Sequence, residues 1–159
     1  MQVTIIAIGK VKERFLQEGI AEYAKRLRPY AKLQVIELAD ERRPASASVA
    51  NETAAMEKEG ERICAALPAG SFTVALDRAG ASWSSETLAG AFRDREISGQ
   101  SHVTFVIGGD LGLSPAVLSR SDVRVSLSKM TFTHPMVRLI LLEQVYRAFR
   151  ILRNEPYHK

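Results

Sequence analysis

The sequence predicts an α/β domain of three layers, a mostly parallel sheet with helices on both faces. Three observations predict it. Strand-like and helix-like patterns alternate along the whole chain, the order that lays crossover helices against a parallel sheet. The run Val103-Thr104-Phe105-Val106-Ile107 shows no alternation of outward polar residues, as expected of a strand covered on both faces. Glycines or turn-formers follow the predicted strands directly, at Gly9, Gly80 and Gly108, and in open α/β sheets the carboxyl ends of strands are where ligands bind.

The elements follow in order. Gln2 to Ile8 is a β-rich run that stops at Gly9. From Val11 to Leu27 the residues Phe15, Leu16, Ile20, Tyr23, Ala24 and Leu27 recur at helical spacing, and Pro29 closes the helix. Leu33 to Leu38 is a second strand, Asp40 to Ser48 a polar loop, and Val49 to Leu67 a helix ended by Pro68 and Gly70. Ser71 to Leu76 is a third strand with Asp77-Arg78-Ala79-Gly80 as its exit turn. Ser84-Ser85-Glu86 caps a helix running to about Ile97, with Gly99 as terminator. Val103 to Ile107 is the fourth strand, and Ser114-Pro115 opens a short helix. Val123 to Leu127 is the fifth strand, and Pro135 opens a last helix that reaches about Asn154. No repeat or linker is visible, so residues 1–159 read as a single domain.

Composition bounds the function. The 159 residues are 46% apolar and 25% charged, typical of a soluble globular protein. No apolar run approaches the ~20 residues that span a bilayer. The start lacks a basic stretch before its apolar run, so it reads as a strand and not as a signal peptide. The one cysteine, Cys64, falls in a helical pattern with Ile63 and Leu67 and reads as a small buried hydrophobe. With no paired cysteine and no export signal, the expected compartment is the cytoplasm. Net charge is +4, but from Val117 onward eight Lys/Arg face only Asp122, Glu143 and Glu155. That excess is either a solvated helix face or an electrostatic footprint for a phosphate backbone.

The candidate chemistry lies in the last third. Gly108-Gly109-x-x-Gly112 follows a buried strand, but it is not G-x-G-x-x-G and no Gly-Lys-Ser/Thr follows. The second loop, Leu127 to His134, interleaves Ser128, Lys129, Thr131 and Thr133 with Leu127, Met130 and Phe132. Such a segment offers backbone donors and acceptors to a heterocycle while its apolar side chains sandwich the ring. His134, just before Pro135, lies near the positive end of the helix dipole, a placement that favours neutral imidazole; the plainer reading is a capping loop with a surface histidine. Apolar residues of the last helix cover an arc of roughly 200°, wider than the ~100° stripe one sheet needs. A second apolar partner is expected, and a symmetric homodimer packed through this helix is the economical one. Arg138 projects into that arc and needs a carboxylate, backbone carbonyls or a ligand. Glu143 is a possible partner on another face, and its spacing from Arg147 permits an i,i+4 pair. The tail Pro156-Tyr157-His158-Lys159 carries an aromatic beside a histidine, which suits stacking on an RNA base. Asp77 adjoins a ligand position through Leu76. His102 and Trp83 read as structural. No residue set has metal-ligand spacing, and there is no G-x-S-x-G elbow.

Three blocks together, VTIIAIGKVKERF from Val3, FVIGGDLGLS from Phe105, and LSKMTFTHPMVRLILLEQVYRAF from Leu127 with the terminal PYHK, resemble the SPOUT-class methyltransferases. Within them the likeness is to the small family that methylates N3 of a pseudouridine in bacterial 23S ribosomal RNA, and it extends over essentially the whole chain. The resemblance implies a C-terminal deep trefoil knot, which chain rules alone would not propose, and a homodimer with the active site at its interface. It implies S-adenosylmethionine (S-adenosyl-L-methionine) contacts at Leu76, Gly108 and Leu127, Ser128, Lys129, Met130, Thr131 and Phe132. It places His134, Arg138, Tyr157 and His158 toward the RNA or the transferred methyl, the tail serving the partner's site, with the dimer docked on a ribosome and no metal or membrane involved. His134 or His158 is then the expected acceptor of the N3 proton, while Arg138 or Lys129 stabilises charge on the ring. Two alternatives stay open: methylation of another RNA position, such as a ribose 2′-oxygen, and a non-catalytic ribosome-binding module of the same fold.

Overall fold

A computed structural model describes residues 1–159. The elements are β1 (Gln2–Ile8), α1 (Arg14–Leu27), β2 (Lys32–Leu38), α2 (Val49–Ala66), β3 (Phe72–Ser82), α3 (Ser85–Ile97), β4 (His102–Ile107), α4 (Pro115–Arg120), β5 (Val123–Ser126) and α5 (His134–Leu152). One five-stranded sheet has the order β2-β1-β4-β3-β5, and every pairing in it is parallel. α1, α3 and α5 pack together on one face, α2 and α4 on the other. No helix is long and apolar enough to cross a membrane.

The two central strands explain the layers. Val3, Ile5 and Ala7 of β1 join Val103, Phe105 and Ile107 of β4 in the larger core, under Phe92 of α3 and Leu141, Leu142, Val145 and Phe149 of α5. The alternate residues Ile6, Ile8 and Val106 join Ile63 of α2 and Val117 of α4 in a smaller core. Period-2 side chains facing two helical layers leave no solvent face, so the strands carry no polar alternation. The buried hydroxyls are matched: Thr104 donates to Ser71 Oγ at 2.9 Å and Thr4 pairs with His102 Nε2 at 2.9 Å. His102 is therefore structural, and burial lowers its pKa. Half-buried Cys64 packs against the smaller core.

Two sequence expectations change, the end of the third strand and the burial of Phe15, and the partner of α5 is met in part. The third strand does not end at Leu76. It resumes after an excursion, so Leu76 and Ala81 both pair with Val125 and residues 77–80 bulge out of the ladder. The wide apolar arc of α5 is covered only in part within the chain: α1 and α3 help bury Leu141, Leu142, Val145, Ala148 and Phe149, while Val137, Leu139, Tyr146 and Leu152 stay half-buried. Phe15, assigned by spacing to the buried stripe of the first helix, is 64% exposed although it lies in the first turn of α1, where Leu16 takes the buried position.

After β4 the chain crosses on the α4 side to β5, at the sheet edge beyond β3, then returns on the opposite face as α5 to reach both α3 and α1. This gives the C-terminal third the α/β-knot arrangement that the resemblance implied.

Candidate functional site

The carboxyl ends of β3, β4 and β5 open into one cavity of about 850 Å³. Its walls are the β3 excursion, the glycine loop, the loop after β5 and the first turn of α5. The glycine loop folds on itself. A Cβ on Gly108 would lie 2.7 Å from the Gly112 carbonyl oxygen, and Gly112 takes φ +84°. Gly108 is thus required by backbone meeting backbone, and its neighbours present main chain to the cavity.

The loop after β5 is pinned from inside and from across the mouth. Ser126 Oγ donates to the Ser128 carbonyl at 2.9 Å, and Ser128 Oγ accepts the Met130 N–H at 3.0 Å. Arg78, carried outward by the β3 excursion, donates to Thr131 Oγ1 at 2.8 Å. Met130 remains 75% and Phe132 38% exposed. Two uncovered apolar side chains in a polar-backed cavity of this volume suit a ligand with a flat heterocycle.

Of the residues predicted from sequence, Leu76, Gly108, Leu127, Ser128, Met130, Thr131, Phe132 and His134 line the cavity, as do Asp77 and Arg78. Lys129 belongs to the same loop but is not in the wall. His134 is the first residue of α5, and its Nδ1 is buried without a hydrogen-bond partner.

Arg138, one turn further on, is 3% exposed and also lies outside the wall. Its expected partner arrives from β2: the guanidinium pairs with Glu37 and donates to the Gly9 carbonyl at 3.2 Å. Glu143, the partner suggested by sequence, is engaged by Arg147 and Tyr157 instead. Glu37 lies 101 residues away in the chain, so only the sheet order brings the pair together.

The tail is ordered and docks at the other end of α5. Asn154 adopts φ +52° and the Glu155 N–H reaches back to the Arg150 carbonyl at 2.9 Å, a helix stop that turns the chain onto its own surface. Tyr157 packs edge-on against Tyr146, with centroids 4.9 Å apart, and donates to Glu143 at 2.9 Å. Burial, then the bonds to Tyr23 and Glu143, push its phenol pKa up. His158 holds Glu86 through Nε2 at 2.7 Å and Arg147 through Nδ1 at 3.3 Å. The N-terminal backbone of α3, then His158, lower the Glu86 carboxyl. Tyr157 bonds Glu143, nine residues after His134, so at ~1.5 Å per residue the docked tail stands roughly 14 Å along the helix from His134 of the same chain.

The basic excess of the C-terminal segment is also partly internal. Arg138, Arg147 and Arg150 are each paired with a carboxylate. Arg78, Lys129 and, on the β1–α1 loop, Lys10 and Lys12 have none.

The comparisons agree with this geometry. The family model described as "Predicted SPOUT methyltransferase" matches residues 1–158. The chain is 54% identical over 159 residues to the ribosomal RNA large subunit methyltransferase H of Carboxydothermus hydrogenoformans, covering 100% of both chains. It is 50% identical to the proteins of that name from Clostridium acetobutylicum and Halothermothrix orenii, again over 100% of each. With a knotted parallel sheet, a cavity at its strand exits and a match that runs the length of the chain, the protein belongs to the SPOUT methyltransferase family.

Proposed function

We propose that this protein is an S-adenosylmethionine-dependent methyltransferase that methylates N3 of a pseudouridine in 23S ribosomal RNA, acting on the ribosome in the cytoplasm. Residues 1–159 work as one unit and pair as a homodimer. The observation that carries the reading is the cavity at the strand exits, walled by Leu76, Gly108 and the loop from Leu127 to Phe132 beside the start of α5.

Leu76, Gly108 and the Leu127–Phe132 loop would hold the cofactor, main chain to its polar edges and Met130 and Phe132 to its ring. When bound, S-adenosylmethionine supplies an activated methyl on a sulfonium, so the protein's task is alignment. Fixing two reactants in line is worth several kcal/mol, on the order of 7–11 at best. As the N3–methyl bond forms, the N3 proton must leave. His134, in the cavity wall at the start of α5, is the acceptor we favour. Arg138 acts as a positioning residue, tying the first turns of α5 to the β1 exit and to Glu37.

The tail supports the dimer. Packed antiparallel through α5, two copies would bring Tyr157 and His158 of one chain toward the cavity of the other. Within one chain the docked tail lies roughly 14 Å along α5 from His134, beyond direct contact with it.

Mass spectrometry of 23S ribosomal RNA from a deletion strain tests the reading. One pseudouridine should lose its methyl and regain it on complementation. An unchanged pseudouridine, or loss of a ribose methyl, would overturn it. Calorimetry should show cofactor binding, and its absence at high micromolar cofactor would leave a non-catalytic module.

A further inference from the structure

We infer that the β1–α1 loop, Gly9 to Phe15, is the RNA-docking lip of the site. Lys10 and Lys12 hold phosphates flanking the target nucleotide, and Phe15 offers a stacking face. The inference rests on the ribosomal RNA reading above and adds the surface that grips the substrate.

Place comes first. β1 pairs with β4, Ala7 opposite Ile107, so the β1 exit adjoins the glycine loop. Glu13 lines the cavity, and a Cβ on Gly9 would lie 3.4 Å from the His134 ring. The loop is therefore the rim across which a base must pass to reach His134.

The rim is also fixed. Gly9 turns with φ +86°, its N–H bonds the Leu38 carbonyl at 2.8 Å and its carbonyl accepts from Arg138. Val11 is 9% exposed, and Gln17 donates to its carbonyl at 2.8 Å. With Val11 turned in, Lys10 and Lys12 are left exposed, and neither makes an ion pair. Arg14, by contrast, is occupied with Glu18. The backbone that carries the two free lysines is fixed in advance, so only their side chains must be ordered on meeting an anion.

Phe15 separates RNA from other occupants. A second copy of this chain would cover its ring, but it would also have to bury or sidestep two unpaired lysines, which is costly. A nucleic acid satisfies both, because phosphates take the ammonium groups while a base stacks on the ring. The N-terminus of α1, with no side-chain cap, adds free N–H groups of the same polarity.

The test uses the full-length protein with Lys10→Glu/Lys12→Glu, Phe15→Ala and Lys10→Arg/Lys12→Arg. For the charge reversal, cofactor affinity, melting temperature and oligomeric mass should stay at wild-type values. KM for ribosomes should rise at least tenfold with kcat within about twofold. The slope of log affinity against log salt for ribosomal RNA should flatten by about one to two, one phosphate contact per lysine. The arginine pair should behave as wild type, and Phe15→Ala should raise KM several-fold without changing the salt slope. A charge-reversed protein with wild-type KM and salt slope would overturn the lip. A Phe15→Ala protein that falls apart into monomers would assign the ring to a second copy instead. If the wild-type protein binds ribosomal RNA through this loop yet transfers no methyl, the methyltransferase reading fails and the lip stands.

Discussion

Glu59 lies beneath the glycine loop, 2% exposed, with Oε2 accepting the Glu41 N–H at 3.0 Å and Oε1 without a partner. A Cβ on Gly109 would sit 3.4 Å from that oxygen. Burial raises the carboxyl above its ordinary value of 4.5; Asp110 and Asp40 add to this, while the Glu41 N–H and Arg43 oppose it. The folded state thus binds more protons than the unfolded one between 4.5 and the raised value, and stability falls as pH climbs through that window. Glu59→Gln should abolish this slope and melt at or above wild type at neutral pH; melting curves from acid to neutral pH check it, and an unchanged slope would clear Glu59 of the effect. Arg138 poses the opposite case, a buried cation whose compensation is Glu37. Stranding a buried charge costs about 3–5 kcal/mol, less here because the Glu37 side chain is 38% exposed. Glu37→Ala should cost about 2–3 kcal/mol, lowering Tm by roughly 4–12 °C at this chain length. A melt within a degree of wild type would show that the pair does not carry that weight.

Single elements show what the sequence disclosed and what it withheld. The strands and helices were legible because β1 and β4 must be apolar on both faces and because Ser84 and Ser114 cap their helices as the pattern suggested. The cavity loops were legible as glycines and mixed polar–apolar segments at strand exits. The β3 excursion was not, because residues 77–80 look like any exit turn and only the β5 register reveals that the strand resumes. The partner of Arg138 and the docking site of the tail were hidden for another reason: both join segments far apart in sequence, through contacts with no local signature. The excursion has a measurable role through Arg78, whose bond to Thr131 ties one wall of the cavity to another. Losing one such bond costs about 1 kcal/mol. Arg78→Ala should therefore weaken cofactor binding about fivefold in calorimetry with little change in melting; unchanged affinity would leave the bond without a part in forming the cavity.

At the scale of the molecule, the separation of His134 from the tail makes a sharp forecast for the proposed homodimer. His134→Ala should lose at least a hundredfold in methyl transfer while keeping its cofactor affinity, the usual range for a removed base. Replacing Tyr157 and His158 together by alanine should also depress transfer. Mixing the two inactive proteins should restore activity, since a mixed dimer holds one cavity with both His134 and a partner's intact tail. No recovery after verified exchange of subunits would place both groups in one chain. The pairing of Val125 with two residues of β3 carries a last consequence. The ladder closes on either side of residues 77–80, and a Cβ on Gly80 would lie 2.6 Å from the Arg124 backbone, so the strand side of the excursion is held while Asp77 and Arg78 face the cavity. Side-chain changes at residues 77 and 78 would therefore reshape the mouth of the cavity while the flanking pairs hold the sheet, a natural place to graft a different substrate preference onto the same knot.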